Sequence, residues 1–415
     1  MNKIYEFEHY NIHSKSTNKF KTFLIEINFF NKFDFKRLAV RETMLRMLFL
    51  NNKIYKTSID ISKKCEDLYD PYMYFERSRL GIFEVSTIFM KFIDPKYINE
   101  EDYYDSIIKY LFNLIHNPEF NEESLEFVKS SLINELNSIM DKPNKYASIR
   151  FMSSLDKNDP RSIPLIGNKD DIDFLTIDDI KNEFNKFINE SNIEINFVGE
   201  EIKDEYIDII NKYSNFKNNT KLINFNPYRE TLFKNEEFKE EKEYTQSNLF
   251  MIFNCDDLTN KEKNITMLLF NEILGGFSVN AKLNYKLREE NSICYGVNSF
   301  YDKYDNDLRI VTSISKENID KAKELIFETV NDMNNLDKED MENAIKRLKL
   351  GLKDSYNNIF SCASIMLYKD LNLIYNVEEK LDLLDKISID EVKVLLNKIK
   401  YNSSFVLVGV KDGNN

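Results

Sequence analysis

Along residues 22–30 the chain alternates: Phe23, Ile25, Ile27 and Phe29 fall on one side and the residues between them on the other, the period of a strand with two distinct faces. Apolar spacing then turns helical over Arg37–Leu50 and Ser58–Tyr69, and returns to strand spacing over Tyr72–Ser78 and Ile82–Phe92. Two more helical stretches follow, Asp102–His116 and Glu122–Met140. The second half reads in the same order: strand Thr245–Phe253, helix Lys261–Leu274, short helix Val279–Leu287, strands Ile293–Tyr301 and Leu308–Ser315, helices Ile319–Met333 and Lys338–Tyr356. Hairpin strands followed by helix pairs predict an α+β fold of two homologous domains. Each would be a mostly antiparallel sheet packed against long helices, without alternating βαβ crossovers.

The duplication has matching landmarks. Thr176-Ile177-Asp178-Asp179 leads through a helix to the β-rich run Ile193–Gly199, and Ser388-Ile389-Asp390-Glu391 leads likewise to Ser404–Gly409. A Ser or Thr two residues ahead of an Asp, with acids in the first turn, is a helix start. The helix opening at Leu125 has its counterpart at Met341, in the same order and at nearly the same offset, which points to a duplicated domain. Between the halves, Lys217-Asn218-Asn219-Thr220 and the Lys/Glu run 234–243 are too polar to bury much. The expected division is therefore an N-terminal domain over 1–215, a linker over 216–243 and a C-terminal domain over 244–415.

Composition supports packed cores, with 42% apolar residues and only nine Gly and seven Pro in 415 residues. The net charge of −13 argues against non-specific nucleic-acid binding. Acids at Glu6 and Glu8 stand where an export signal needs basic residues, and no run of apolar residues is long enough to span a membrane. These features predict a cytoplasmic chain with no membrane contact. Cys65, Cys255, Cys294 and Cys362 form no C-x-x-C pair and read as scattered buried thiols.

Candidate chemistry concentrates near residue 275, where Ile273-Leu274-Gly275-Gly276-Phe277-Ser278 runs on to Leu287-Arg288-Glu289-Glu290 and Ser292-Ile293-Cys294-Tyr295-Gly296-Val297. The glycine pair follows a helix and lacks a following Gly-Lys-Ser/Thr, so it is a helix C-terminal turn and not a phosphate loop. Ser278 lacks the Gly-x-Ser-x-Gly setting of a nucleophile. Arg288 offers a planar fork of donors and Tyr295 a phenol, a pair able to orient a peptide carbonyl or an oxyanion. Taken alone, the same two residues also fit a helix-end ion pair and a core tyrosine.

In context the stretch resembles the second-domain signature of the insulinase (pitrilysin) superfamily of zinc peptidases, roughly L-G-G-x-x-x-S-x-L, then L-R-E, then A-Y-x-V. The resemblance implies that Arg288 and Tyr295, seven residues apart, line a peptidase chamber opposite a zinc ion. It also implies a zinc motif His-x-x-Glu-His on the helix after the first strand, where two imidazoles hold the metal and the Glu is general base. That motif is absent. Met47-Leu48-Phe49, which often follows it, places the five positions at Glu42-Thr43-Met44-Leu45-Arg46, so Glu42 and Arg46 replace the histidines and Leu45 the base. Val128 falls at the third ligand, with Glu126 there on a shifted alignment. The chain's three histidines do not compensate. His9 and His13 lack a Glu between them and read as solvated N-terminal side chains; His116 at a helix end suits terminal carbonyls.

The resemblance narrows to a bacterial cytosolic processing-peptidase type of about 400 residues, in which paired, divergent proteins keep either the zinc motif or the Arg/Tyr pair. Tyr146-Ala147-Ser148-Ile149-Arg150, Asp159-Pro160 and Gly167 look like the non-zinc type. It implies half of a clamshell chamber, inactive alone, with no catalytic residue and no cofactor of its own. Zinc would come from a paralogous partner in a heterodimer, a homodimer being the other arrangement allowed. Substrate peptides would add a strand to a sheet edge. Peptide maturation and elongation factor P modification are the roles the family suggests, and a catalytically silent peptide-binding or assembly protein is the alternative.

Overall fold

The computed structural model describes residues 2–217, 221–222, 225–276 and 278–411. Two compact units emerge, and each is built on one sheet. In the first, β1 (Asn2–Glu6), β2 (Tyr10–Ser16), β3 (Thr22–Lys32), β4 (Tyr72–Leu80), β5 (Phe83–Ile93) and β6 (Asn192–Gly199) stand in the order β1-β2-β6-β3-β5-β4. All neighbours are antiparallel except the parallel pair β2 and β6. In the second, β7 (Glu237–Lys242), β8 (Ser247–Cys255), β9 (Cys294–Asp302), β10 (Asp307–Ile314) and β11 (Ile399–Gly409) stand in the order β7-β11-β8-β10-β9, with only β7 and β11 parallel. Apart from β1, the two orders are the same plan. The duplicated α+β architecture expected from the repeats is therefore present in the pairing itself.

Local chemistry explains the elements. Thr176 and Ser388 each open a helix with a reciprocal capping box, to Asp179 and Glu391 respectively, so each satisfies two backbone donors at a helix start. On β3 the alternating Phe23, Ile25, Ile27 and Phe29 are fully buried, with Phe29 against Phe187 at 4.3 Å and Phe23 edge-on to Phe197 at 5.3 Å between ring centroids. Gly275 ends the helix Met267–Gly275 where a Cβ would lie 2.7 Å from Ser299 Oγ, so only glycine lets the helix end approach β9. Phe277 of the same run, and Asn218, Asn219 and Thr220 of the expected linker, lie outside the described residues.

Three expectations need correcting. The units do not divide as 1–215 and 244–415. The first comprises Met1–Asn137, Pro164–Asn226 and Ser355–Ile374, and the second Ser138–Ile163, Pro227–Asp354 and Tyr375–Asn415. Each repeat gives one helix to the other unit. Pro143 forces Lys142 out of helical backbone, so the chain breaks after Met140 and restarts as the helix Pro143–Leu155. That helix buries Tyr146, Phe151 and Leu155 against Phe250, Ile252, Phe405 and Leu407 of the second sheet. Its counterpart Ile359–Asp370 buries Ile359, Cys362, Ala363 and Met366 against Leu24 and Val198 of the first.

Nor is 216–243 only a linker: Phe216 and Thr231 are buried, and Glu237–Lys242 is β7. An edge strand needs one paired backbone edge and tolerates charged side chains, which is why it reads as linker. His13, expected in solvent, is buried in β2, with Nε2 2.9 Å from Glu194 and Nδ1 2.7 Å from Asp370. Burial disfavours its charge, but the two carboxylates outweigh it and raise its pKa to about 9. His116 does meet a helix-terminal carbonyl, that of Ser214, at 2.6 Å. All four cysteines are free thiols, with Cys255 and Cys362 buried and Cys65 and Cys294 partly exposed.

Candidate functional site

The helix Leu38–Met47 carries the positions expected of the zinc motif. Leu45 is in the core. Glu42 is buried and receives Arg46 Nε at 2.8 Å, one turn on, and Arg77 Nη1 at 3.0 Å from β4. Arg46 also reaches Glu135 at 2.7 Å. The Arg77 side chain is only 2% exposed; it donates to Glu84 at 2.8 Å and to the carbonyls of Leu38 and Leu165. Arg41, 1% exposed, joins Glu84 to Glu183, and Arg37 grips Glu183 with two bonds of 2.8 and 3.0 Å. Four guanidinium groups thus meet Glu42, Glu84, Glu135 and Glu183. Burial pushes the Glu84 carboxyl up, yet Arg77 and Arg41 hold it below its ordinary value.

Zinc does not fit this arrangement. A metal needs lone pairs, and guanidinium has only donors. A divalent cation beside Glu42 would meet the charges of Arg46 and Arg77. Neither alignment of the third ligand helps: Val128 is buried, and Glu126 is exposed with its carboxylate 3.2 Å from Lys129 Nζ. Among the described residues, no group of three or more His, Cys, Asp and Glu side chains could hold a metal ion. The decisive residues Arg41, Arg77 and Glu84 were missed from sequence. Their one local signal is that Glu84 and Arg77 sit among the apolar residues of a strand pair, where buried charge demands a partner.

Arg288 and Tyr295 lie in the second unit and are differently placed. Arg288 is on a π-helical segment, Tyr285–Glu290, where a continuous α-helix was expected; such segments widen the helix and are common at functional sites. The chain turns back through Ser292 (φ +53°), closed by Ile293 N donating to Leu287 O at 3.0 Å, and enters β9. Buried Leu287 and Ile293 anchor the two sides of this turn. Tyr295 is 86% exposed, and Arg288 is half-exposed and pairs, among the described residues, with Glu289 at 3.4 Å. Arg288 also acts electrostatically on the Cys294 thiol, next to Tyr295. No direct hydrogen bond joins Arg288 to Tyr295 among the described residues. β9 is the edge of its sheet, pairing with β10 on one side.

Both units share one α+β sheet plan, and ion pairs occupy the positions where the resemblance expects metal ligands. Residues 175–348 match the family described as Peptidase M16 inactive domain. The chain is 20% identical over 331 residues to the "Probable inactive metalloprotease YmfF" of Bacillus subtilis (strain 168), covering 78% of each protein. In structure it is similar to a conserved protein from Enterococcus faecalis V583, with a TM-score of 0.92, 19% identity and complete coverage of both chains. A peptidase M16 inactive domain from Pseudomonas fluorescens superposes with a TM-score of 0.79 and 16% identity over 99% of this chain and 98% of that one. The chain therefore shares the fold of these proteins over its whole length, and its residues 175–348 match the inactive-domain family of the M16 peptidases. No described helix is long and apolar enough to cross a membrane.

Proposed function

We propose that this chain is the zinc-free, substrate-holding subunit of a two-chain peptidase, with Arg288 and Tyr295 presenting donors to a peptide and a paralogous partner supplying zinc and general base. The observation that carries this reading is the exposure of Tyr295 on edge strand β9 beside the half-exposed Arg288. A phenol at 86% exposure contributes little to a core, and an unpaired strand edge can take an extended peptide as a further strand. Arg288 could then fork to a carbonyl and Tyr295 donate to an oxygen that gains charge during attack. Peptide maturation and elongation factor P modification are both compatible with such a chamber.

The test is reconstitution. The chain alone cleaves nothing; mixed with a His-x-x-Glu-His paralogue from the same genome it gives cleavage that a chelator abolishes. Arg288→Ala and Tyr295→Phe each lower that activity by about 10²-fold, the scale of losing one preorganised oxyanion donor. Unchanged cleavage in both variants removes the pair from the mechanism. A stable complex without cleavage under any pairing supports the alternative of a silent binding protein.

A further inference from the structure

The first sheet has two unlike faces. One buries the aromatic row of β3; the other, under the helix Ile359–Asp370, is crossed by polar rungs. The strand register sets His13, Asn196, Glu26, Phe89 and Tyr74 side by side across the five strands β2, β6, β3, β5 and β4. Against this face lies a cavity of about 250 Å³, entirely within the first unit, whose wall includes Glu26, Glu76, Asn196, Phe89, Leu367 and Tyr368. Glu26 is 2% exposed and Asn196 is fully buried. Asn196 Nδ2 donates to Glu26 Oε2 at 2.8 Å, which leaves Glu26 Oε1 and Asn196 Oδ1 accepting no hydrogen bond among the described residues. Glu76, exposed on β4, is the second carboxylate of the cavity. Among the described lining residues none is basic.

We propose that this cavity binds a small primary ammonium ion, its charged end between Glu26 and Glu76 and its carbon chain against Phe89, Leu367 and Tyr368. An ammonium carries three donors and no acceptor, and the cavity offers Glu26 Oε1, Asn196 Oδ1 and the Glu76 carboxylate. A buried carboxylate without a cation is costly, and the Glu76 charge at the cavity repels an anion. A hard divalent cation is the poorer match: it takes six or more oxygens, whereas Asn28 Oδ1 on the wall already accepts from Thr87 and Phe89 and Leu367 offer only apolar surface. Burial first, and then the nearby Glu76, raises the Glu26 pKa to about 8, so the free site holds a proton at neutral pH. The other titratable groups on this face do not compete for that role. His13 is engaged by Glu194 and Asp370, and burial raises the Tyr74 and Tyr368 phenols above their ordinary range. An entering ammonium therefore displaces one proton from Glu26 to solvent and forms the Glu26 carboxylate–ammonium pair.

The experiment is calorimetric titration of the full chain with ethylammonium chloride at pH 7, against sodium chloride at equal ionic strength. Saturable binding is expected, with proton release seen as a heat that depends on the buffer's own ionisation enthalpy. Glu26→Gln and Glu76→Gln each weaken binding by about tenfold or more, and Glu26→Gln alone abolishes the proton release. Because Glu76 is exposed, its variant folds normally and keeps the test decisive if Glu26→Gln does not. Tetramethylammonium, which has no N–H, and calcium chloride leave the protein unchanged. The proposal is overturned by the absence of saturable ethylammonium binding, by unaltered affinity in Glu76→Gln, or by a calcium response in place of the ammonium one. This site is independent of Arg288 and Tyr295, so neither result depends on the peptidase reading.

Discussion

The helix Leu38–Met47 and the turn that carries Arg288 and Tyr295 lie in two copies of one sheet plan, yet they treat charge in opposite ways. In the first unit Arg41, Arg77, Glu42 and Glu84 are buried and each is held by a partner on another element. In the second, the ion pairing of Arg288 among the described residues is with its sequence neighbour Glu289, and Tyr295 faces solvent. Glu42, Leu45 and Arg46 stand where the resemblance expects two imidazoles and a base. Buried Glu42 needs a cation, and Arg77 supplies it with a guanidinium. The helix Leu38–Met47 is tied into an ion-pair lattice, while Tyr295 and half-exposed Arg288 lie at the surface of the second unit.

The sharpest way to break the comparison is to remove Arg77. Arg77→Ala would leave Glu84 and Glu42 buried with part of their compensation gone, and losing one partner of a buried ion pair costs about 3–5 kcal/mol. Burial alone lowers an arginine's pKa; here Glu84 and Glu42 outweigh it and hold the Arg77 guanidinium firmly charged. The midpoint of denaturant unfolding should fall accordingly, with the slope unchanged. A loss below about 1 kcal/mol, the scale of a surface pair, would show that the lattice does not hold the metal helix.

A smaller effect separates buried charge in the first unit from exposed charge in the second by pH. The pKa of His13 is raised from 6.5 to about 9 on folding by Asp370 and Glu194. Because the folded value lies above the unfolded one, the stabilisation is fully present below about pH 6.5 and disappears as pH rises through about 9. The linkage is worth on the order of 3 kcal/mol at most. The stability difference between the wild type and His13→Gln should shrink over that interval. A difference that stays constant from pH 6 to 10 would mean that His13 is neutral when buried.

What could be read in advance depended on the range of the interaction. The β3 alternation, the capping boxes at Thr176 and Ser388 and the glycine turn at Gly275 are decided within a few residues, and all stand in the structure. The strands β2 and β7 were missed because their side chains are polar or charged. Their pairing depends on the remote strands β6 and β11. The exchange of helices was invisible for a related reason. Pro143 marks the break, but nothing local says that Phe151 will meet Phe405, more than 250 positions away, and not its own repeat. That Glu42, Leu45 and Arg46 stand where the resemblance expects metal ligands could be read from sequence. The pairing of Glu42 with Arg77 could not, since that contact spans helix and strand.

The smallest expected effect is the most telling for Arg288 and Tyr295. Tyr295→Phe removes a hydroxyl in solvent, and Arg288→Ala removes a side chain whose ion pair among the described residues, with Glu289, is exposed. Surface substitutions away from caps and buried partners change stability by within about 0.5 kcal/mol. Both variants, singly and together, should therefore melt with the wild type. The buried anchors of the turn give the internal control: Leu287→Ala should cost about 2–5 kcal/mol, as truncation of a core leucine does. If Arg288→Ala cost as much as Leu287→Ala, the arginine would be part of the scaffold like Arg77. The contrast between a sealed first site and an open second one would then fail. If it melts unchanged while the reconstituted pair loses cleavage, the side chain has no role in the fold that could account for the loss.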